Sequence, residues 1–329
     1  MKKLNWGILG TARISQKLIS AMKLSKRSQF YGIASRSSQN AEAFARQWNI
    51  PKSYSSYEAL LADPTVDVVY IPLPNHLHAE WTIKSLEAGK HVLCEKPLAL
   101  SVIEVQNIIN ASRQHRCFAS EAFMYRHLKQ TTQIKQMIDN GEIGNVTYAR
   151  GSFSFMLDRP EDIRLVSLYG GGCLWDVGCY PVSYARVMIG QTPAEVEGFQ
   201  QVGPSGVDEF FIGQMAFPCG ALAQFDCSFR LPSYTCFEIR GDQGTIHIPL
   251  PFNPSSTSNV TLHKQGKTKN FSFRAPHLYL GEIEDMNSAV LGEKPPLISL
   301  EDSLENVKTL NALYQSARQR QPVRLIAAP

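Results

Sequence analysis

The sequence predicts a protein of the α/β class in two parts. The first is a parallel sheet covered by helices on both faces; the second is an α+β part with a mostly antiparallel sheet. Three observations predict it. The 329 residues exceed one ordinary domain. Residues 4–120 alternate apolar runs with helical stripes, as strand–helix–strand units do. Beyond residue 122 the pattern changes to β-rich segments, several alternating apolar and polar. The expected division is therefore 1–121 and 122–329.

In order along the chain, Leu4 to Leu9 is a short apolar run closed by Gly10, as a buried strand would be. Ile14, Leu18 and Met22 then fall four apart on one helical face. Gln29 to Ala34 is a second strand, and Ala41, Phe44, Ala45 and Trp48 form the next helical stripe. "VDVVYIPLP" (66–74) is a third strand, followed by a helix over 75–88, and "KHVLCE" (90–95) a fourth. Ser101 with Glu104 makes a capping box that opens a helix to about His115, and "CFAS" (117–120) closes the series. In the second part, "QTTQIKQMIDNGEIGNV" reads as helix and turn, and strands follow at 147–155, 194–202, 210–217, 221–230, 235–250 and 259–266. Between them "YGGGCLWDVGCYPVSYARVMIG" (169–190) gives a glycine-rich turn and then one helix. A helix over 303–318 and a strand "VRLI" end the chain.

Composition narrows the function. With 43% hydrophobic and 19% charged residues and a formal charge of +4, the chain is globular, and its basic residues are dispersed rather than gathered for nucleic acid. Seven cysteines without a CxxC pair suggest neither a disulfide framework nor a zinc site. His76 and His78 have no third ligand at suitable spacing, so no metal is expected. The opening "MKKLNWGILG" turns polar at Thr11, too soon for a signal peptide, and no apolar run reaches the roughly 18 residues of a membrane helix. A cytoplasmic location is the expectation.

In a doubly covered parallel sheet, ligands bind beyond the carboxyl ends of the strands. The turn "GTARIS" (Gly10, Thr11, Ala12, Arg13, Ile14, Ser15) replaces two glycines of GxGxxG. It still joins a strand to a helix N-terminus, which attracts a pyrophosphate. Taken alone it is also an ordinary strand-to-helix turn. At the end of the second strand, where NAD sites usually carry a carboxylate, stand Ser35, Arg36 and Ser37. An arginine pairs with a 2′-phosphate that a carboxylate would repel, so NADP is expected, with NAD the alternative. Leu73, Asn75, His78, Glu95 and Lys96 lie on the same rim.

"PNHLH" (74–78), "EKPLAL" (95–100), "GEIGNV" (141–146) and "GGGCLWDVGCY" (170–180) together resemble the glucose–fructose oxidoreductase/inositol dehydrogenase (Gfo/Idh/MocA) family over essentially the whole chain. The resemblance implies a Rossmann domain plus a domain with a large open sheet. The free face of that sheet commonly joins subunits, so a homodimer or homotetramer is expected. It implies that Lys96 sits beside the nicotinamide, that a cis peptide precedes Pro97, and that Asn75, with His78 as a weaker companion, lies near the cofactor. Where many relatives have D-x-x-x-H-x-x-D, this chain has Asp176, Tyr180 and Ser183. Tyrosine in the histidine position resembles the dihydrodiol dehydrogenase, NADP-dependent xylose dehydrogenase and glucose–fructose oxidoreductase branch. The departure speaks against an inositol dehydrogenase.

The expected chemistry is hydride transfer between nicotinamide and a hydroxyl-bearing carbon of a sugar, polyol or trans-dihydrodiol. A phenol with an ordinary pKa of about 10 is a poor base at neutral pH, and a nearby ammonium lowers that value. Tyr180 is the expected acid/base, with Lys96 assisting it and Asp176 orienting the pair. Tyr125, Arg126, Phe155, Arg164, Trp175 and His277 are candidates to line the substrate pocket. The alternatives are reduction of a ketosugar and a non-catalytic, dinucleotide-binding regulator.

Overall fold

The computed structural model describes residues 3–254, 257–274 and 277–325. The chain forms two compact units. One comprises Met1–His127 and His277–Leu304, the other Leu128–Pro276 and Glu305–Pro329. The sequence reading has a single boundary near residue 122. The chain instead returns to the first unit after the second sheet.

The first unit carries strands β1 (Leu4–Leu9), β2 (Ser28–Ala34), β3 (Lys52–Tyr54), β4 (Val68–Ile71), β5 (His91–Glu95) and β6 (Ala119–Ala122). They form one parallel sheet in the order β3-β2-β1-β4-β5-β6. The order reverses between β1 and β4, the switch point beside which Rossmann folds bind dinucleotides. Helices α1 (Ser15–Met22), α2 (Ser38–Trp48), α3 (Tyr57–Leu61), α4 (His78–Glu87) and α5 (Val102–His115) connect the strands. Burial of all six residues of β1 and all four of β4 explains why those strands read as unbroken apolar runs. The capping box forms, with the Glu104 amide donating to the Ser101 hydroxyl and the Glu104 carboxylate accepting from the Ser101 amide.

The sequence reading lacks β3 and α3, which span only three and five residues. It also lacks the returning helix. Within 277–304, Leu280–Val290 is helical and sends Ile283 and Met286 into the core formed by Trp6, Ile8, Leu18, Phe44 and Tyr70. Asn287 accepts from the Trp6 indole N–H at 3.2 Å, and Glu284 and Glu293 hold Arg27. These polar anchors hide the apolar stripe of that helix from a periodicity search.

The second unit begins with α6 (Lys129–Asp139). Its sheet comprises β7 (Val146–Ser154), β8 (Glu195–Val202), β9 (Asp208–Ala216), β10 (Leu222–Ser228), β11 (Tyr234–Gly241), β12 (Gly244–Ile248), β13 (Thr257–Lys264), β14 (Lys267–Arg274) and β15 (Val323–Arg324). The order is β14-β13-β12-β11-β7-β10-β9-β8-β15, antiparallel except where β7 meets β10. The segment 235–250, read as one strand, is a hairpin turning at Asp242–Gln243. Strand β14, with only Phe273 buried, lacks the apolar alternation that would reveal it.

One face of this sheet buries Phe211, Phe225, Phe237 and Ile239, and α7 (Cys179–Ile189) packs against β7 and β10. Helix α8 (Leu300–Gln319) starts in the first unit and places Leu313 against β9. Among the described residues no helix is long and apolar enough to cross a membrane.

Candidate functional site

In the first unit a crevice of about 470 Å³ opens at the carboxyl ends of β1, β2 and β4, a size suited to a small ligand. Gly10, Thr11, Ala12, Ser35, Arg36, Ser37, Asn40, Tyr57, Pro72, Leu73 and Pro74 line it. Gly10 has φ +99°, and a Cβ there would stand 3.0 Å from Leu73, so the turn needs glycine. Ser37 caps α2 by accepting from the Asn40 amide, and the Ser37 amide donates to Ser35 Oγ at 3.3 Å. Arg36 is exposed at the mouth near Tyr57, whose hydroxyl is pushed up by burial and pulled down by that guanidinium. Among the described residues Arg36 has no carboxylate partner. A cation, serine hydroxyls and the α2 N-terminus thus form a cradle for an anion, and Asn40 and Tyr57 join residues the sequence pointed to. Arg13 and Ile14 belong to the same turn but do not line the crevice.

At the end of β5, Lys96 is half-buried and the Lys96–Pro97 peptide is cis. The Glu95 carboxylate accepts from the Tyr70 hydroxyl at 2.6 Å. It faces Glu282, whose carboxyl is pushed well up by burial and by the charge of Glu95. Asn75 opens a short 3-10 turn, 75–77, before α4.

His78, expected beside the cofactor, is instead fully buried. One ring nitrogen lies 2.7 Å from the carbonyl of Leu73 and the other 2.7 Å from that of Pro97. The neutral ring donates its one N–H to one of these carbonyls, and, enclosed between the two segments of the rim, it is out of a ligand's reach. Burial pushes its pKa down to about 4. The two carbonyls favour the charged ring, but Lys96 and His76 add to the lowering, and burial prevails.

In the second unit the expected single helix departs from the α form. Leu174–Gly178 is a π-helical turn, with Asp176 inside it, and α7 starts at Cys179, one residue before Tyr180. Such turns are rare and recur at functional sites. Tyr180 is 5% exposed, its ring against Phe153 at 5.3 Å and Phe252 at 5.5 Å. Arg164 Nε donates to Asp176 Oδ2 at 2.7 Å and Arg164 also pairs with Asp162, so its pKa is raised, chiefly by Asp176. Gly171 and Gly172 let the chain approach closely. A Cβ on Gly171 would stand 2.4 Å from the Arg164 carbonyl. One on Gly172, at φ +122°, would stand 2.1 Å from Asp208.

The pocket candidates fall in both units. Arg164 meets Asp176, whereas Arg126 is held in the first unit by Asp302 at 2.7 Å. Tyr125 is fully buried, edge-on to Phe123, and His277 is exposed. Trp175 packs on Tyr314 at 5.5 Å, and half-buried Phe155 on Phe229 at 5.2 Å. Among the described residues no three His, Cys, Asp or Glu gather as a metal site.

Residues 4–123 match the model of the GFO/IDH/MocA oxidoreductase family with an NAD-binding Rossmann fold, and residues 131–247 match the GFO/IDH/MocA C-terminal domain. The chain is 35% identical to a Haloferax volcanii protein named D-xylose 1-dehydrogenase (NADP(+)) 2, over 95% of this chain and 97% of that one. It is 32% identical to a Xenopus laevis trans-1,2-dihydrobenzene-1,2-diol dehydrogenase, over 91% and 93%. Its fold matches that of a 3-ketoreductase from Actinomadura kijaniata, solved with NADP and TDP-benzene, with a TM-score of 0.90 at 28% identity over 96% and 98%. The chain therefore belongs to the GFO/IDH/MocA family of oxidoreductases built on an NAD-binding Rossmann fold.

Proposed function

We propose that the protein is an NADP-dependent oxidoreductase acting on a hydroxyl-bearing carbon of a sugar, polyol or trans-dihydrodiol. The observation that carries this reading is the crevice mouth. Arg36 lies there without a carboxylate partner among the described residues, beside Ser35, Ser37 and the start of α2. Such a cradle suits a ribose 2′-phosphate and leaves no acidic side chain to grip a free 2′-hydroxyl. The names of the Haloferax and Xenopus relatives and the NADP in the Actinomadura structure support the same reading.

Gly10, Thr11 and Ala12 would hold the pyrophosphate, Ser35, Arg36 and Ser37 the 2′-phosphate. The cofactor, when bound, supplies the acceptor for the hydride. Tyr180 takes the hydroxyl proton as the substrate carbon is oxidised and returns it in the opposite direction, which reduces a ketone. Lys96 supplies positive charge to the reacting oxygen, and Asp176, clamped by Arg164, orients the hydroxyl.

Absorbance at 340 nm with NADP or NAD, against D-xylose, other aldoses, polyols and trans-dihydrodiols, tests the activity. Tyr180→Phe should lower kcat by roughly 100-fold or more, with the NADPH dissociation constant within about twofold of the parent. Near-normal turnover would remove Tyr180 from the reaction, and no turnover by the parent would leave a dinucleotide-binding regulator.

The uncovered face of the second sheet exposes Phe199, Ile212 and Leu222 on the adjacent strands β8, β9 and β10, and Tyr234 on β11 beyond β7 (54, 41, 55 and 56%). A second copy of the chain is the proposed cover. Sedimentation velocity should then show a dimer or larger, and a monomer at micromolar concentration would reject it.

A further inference from the structure

Neither the π-turn 174–178 nor α7 has a local side-chain cap. The first amide of the turn, that of Leu174, donates to Asp208 Oδ2 at 2.7 Å, from 34 residues away in sequence. The same oxygen receives the Cys173 thiol at 3.2 Å. The other oxygen, Oδ1, accepts from the Tyr314 hydroxyl at 2.7 Å, across 106 residues. Asp208 is 3% exposed, and no cation pairs with it among the described residues. Three donors, one of them the first amide of the turn, offset in part the burial of this carboxyl, which still pushes its pKa up. Tyr314 is itself fixed, its ring edge-on to Phe211 at 5.7 Å and tilted on Trp175 at 5.5 Å. Gly172 leaves the space in which this carboxylate and phenol meet: a Cβ there would lie 2.1 Å from Asp208 Oδ1 and 2.8 Å from the Tyr314 oxygen.

We propose that Asp208 is a positioning residue for the acid/base helix, supplying from β9 the cap that its own sequence lacks, and that Tyr314 aims Asp208. The inference rests on the reading of Tyr180 as the acid/base. A π-turn holds one residue more per turn than the α-helix it interrupts. Relaxing it to α shifts the residues on one side by one position, about 100° around the axis. Asp176 stands inside the turn and Tyr180 two residues beyond its end, so a one-residue slip between them would turn the carboxylate and the phenol away from each other. The bond from Leu174 to Asp208 opposes that slip, and Asp208 need not touch the substrate to do so.

The test uses the full-length protein with Asp208→Asn, Tyr314→Phe and Tyr180→Phe. It reads turnover of the fastest substrate in the 340 nm panel, NADPH binding, and amide hydrogen exchange. An asparagine presents N–H to one of the donors that the carboxylate accepts. Asp208→Asn should lower kcat roughly 10- to 100-fold, with KM and NADPH affinity within about twofold and faster exchange confined to 174–180. Tyr314→Phe should move the same readouts in the same direction by a smaller factor, and it decides alone if Asp208→Asn does not fold. Turnover within twofold of the parent in these variants, while Tyr180→Phe is impaired, overturns the positioning role. So does a loss accompanied by weaker NADPH binding and faster exchange throughout the chain. Normal turnover in Tyr180→Phe overturns the acid/base reading and this inference with it.

Discussion

In the first unit the expected cofactor contacts stand within a few residues of strand ends: Gly10 after β1, Ser35 and Arg36 after β2, Leu73 after β4, Glu95 and Lys96 at the end of β5. In the second, Asp176 lies in, and Tyr180 just after, a turn that is hydrogen-bonded to Arg164 and to Asp208, which itself accepts from Tyr314 of a distant helix. A parallel ladder fixes each strand end cooperatively, so a residue one step beyond it is placed by local sequence. A π-turn has no such ladder, and groups remote in sequence must hold it. The rim should thus tolerate substitutions that the helix does not.

Acid should expose this difference most strongly. His78 and His127, both in the first unit, are pushed down to about 4 by burial, from an ordinary 6.5. The native state then excludes protons that the unfolded chain binds between those values. Stability is full above pH 6.5 and is lost as pH falls through about 4, by at most ~3 kcal/mol for each histidine. Amides of the first unit should exchange faster before those of the second as pH is lowered from 7 to 4; the reverse order would contradict it.

Paired glycines sharpen the comparison at intermediate size. Gly172→Ala in the second unit meets the Asp208–Tyr314 pair and should cost roughly 2–4 kcal/mol in a denaturant titration. Gly89→Ala, at φ +74° with open space around it, should cost only about 1 kcal/mol. Equal costs would mean that the space at Gly172 relaxes freely.

The narrowest effect is confined to one ligand. Arg36→Ala should weaken NADP relative to NAD by roughly 10- to 100-fold in kcat/KM, the worth of a hydrogen bond to a charged group, and leave stability unchanged. An unchanged NADP-to-NAD ratio would move the 2′-phosphate elsewhere.

Sequence alone determined that the first sheet is parallel and where most of its strands end, because buried strands and helix caps are local in their physics. The capping box at Ser101 and the turn at Gly10 are read from a few adjacent residues. It also marked Asp176 and Tyr180, through their four-residue spacing and the glycines before them. Tertiary structure decided what has no local signal. The helix over 280–290 joins the first core through Ile283 and Met286, beneath polar neighbours such as Asn287 that mask its stripe. His78 looks like a ligand-facing histidine until the fold buries its ring between two backbone carbonyls, 5 and 19 residues away. Asp208 lies two residues before the strand read at 210–217 and carries no signal of its own, yet it holds the first amide of a turn 34 residues before it. Hydrogen bonds that satisfy buried polar groups depend on which segments the fold brings together, and periodicity carries no record of that.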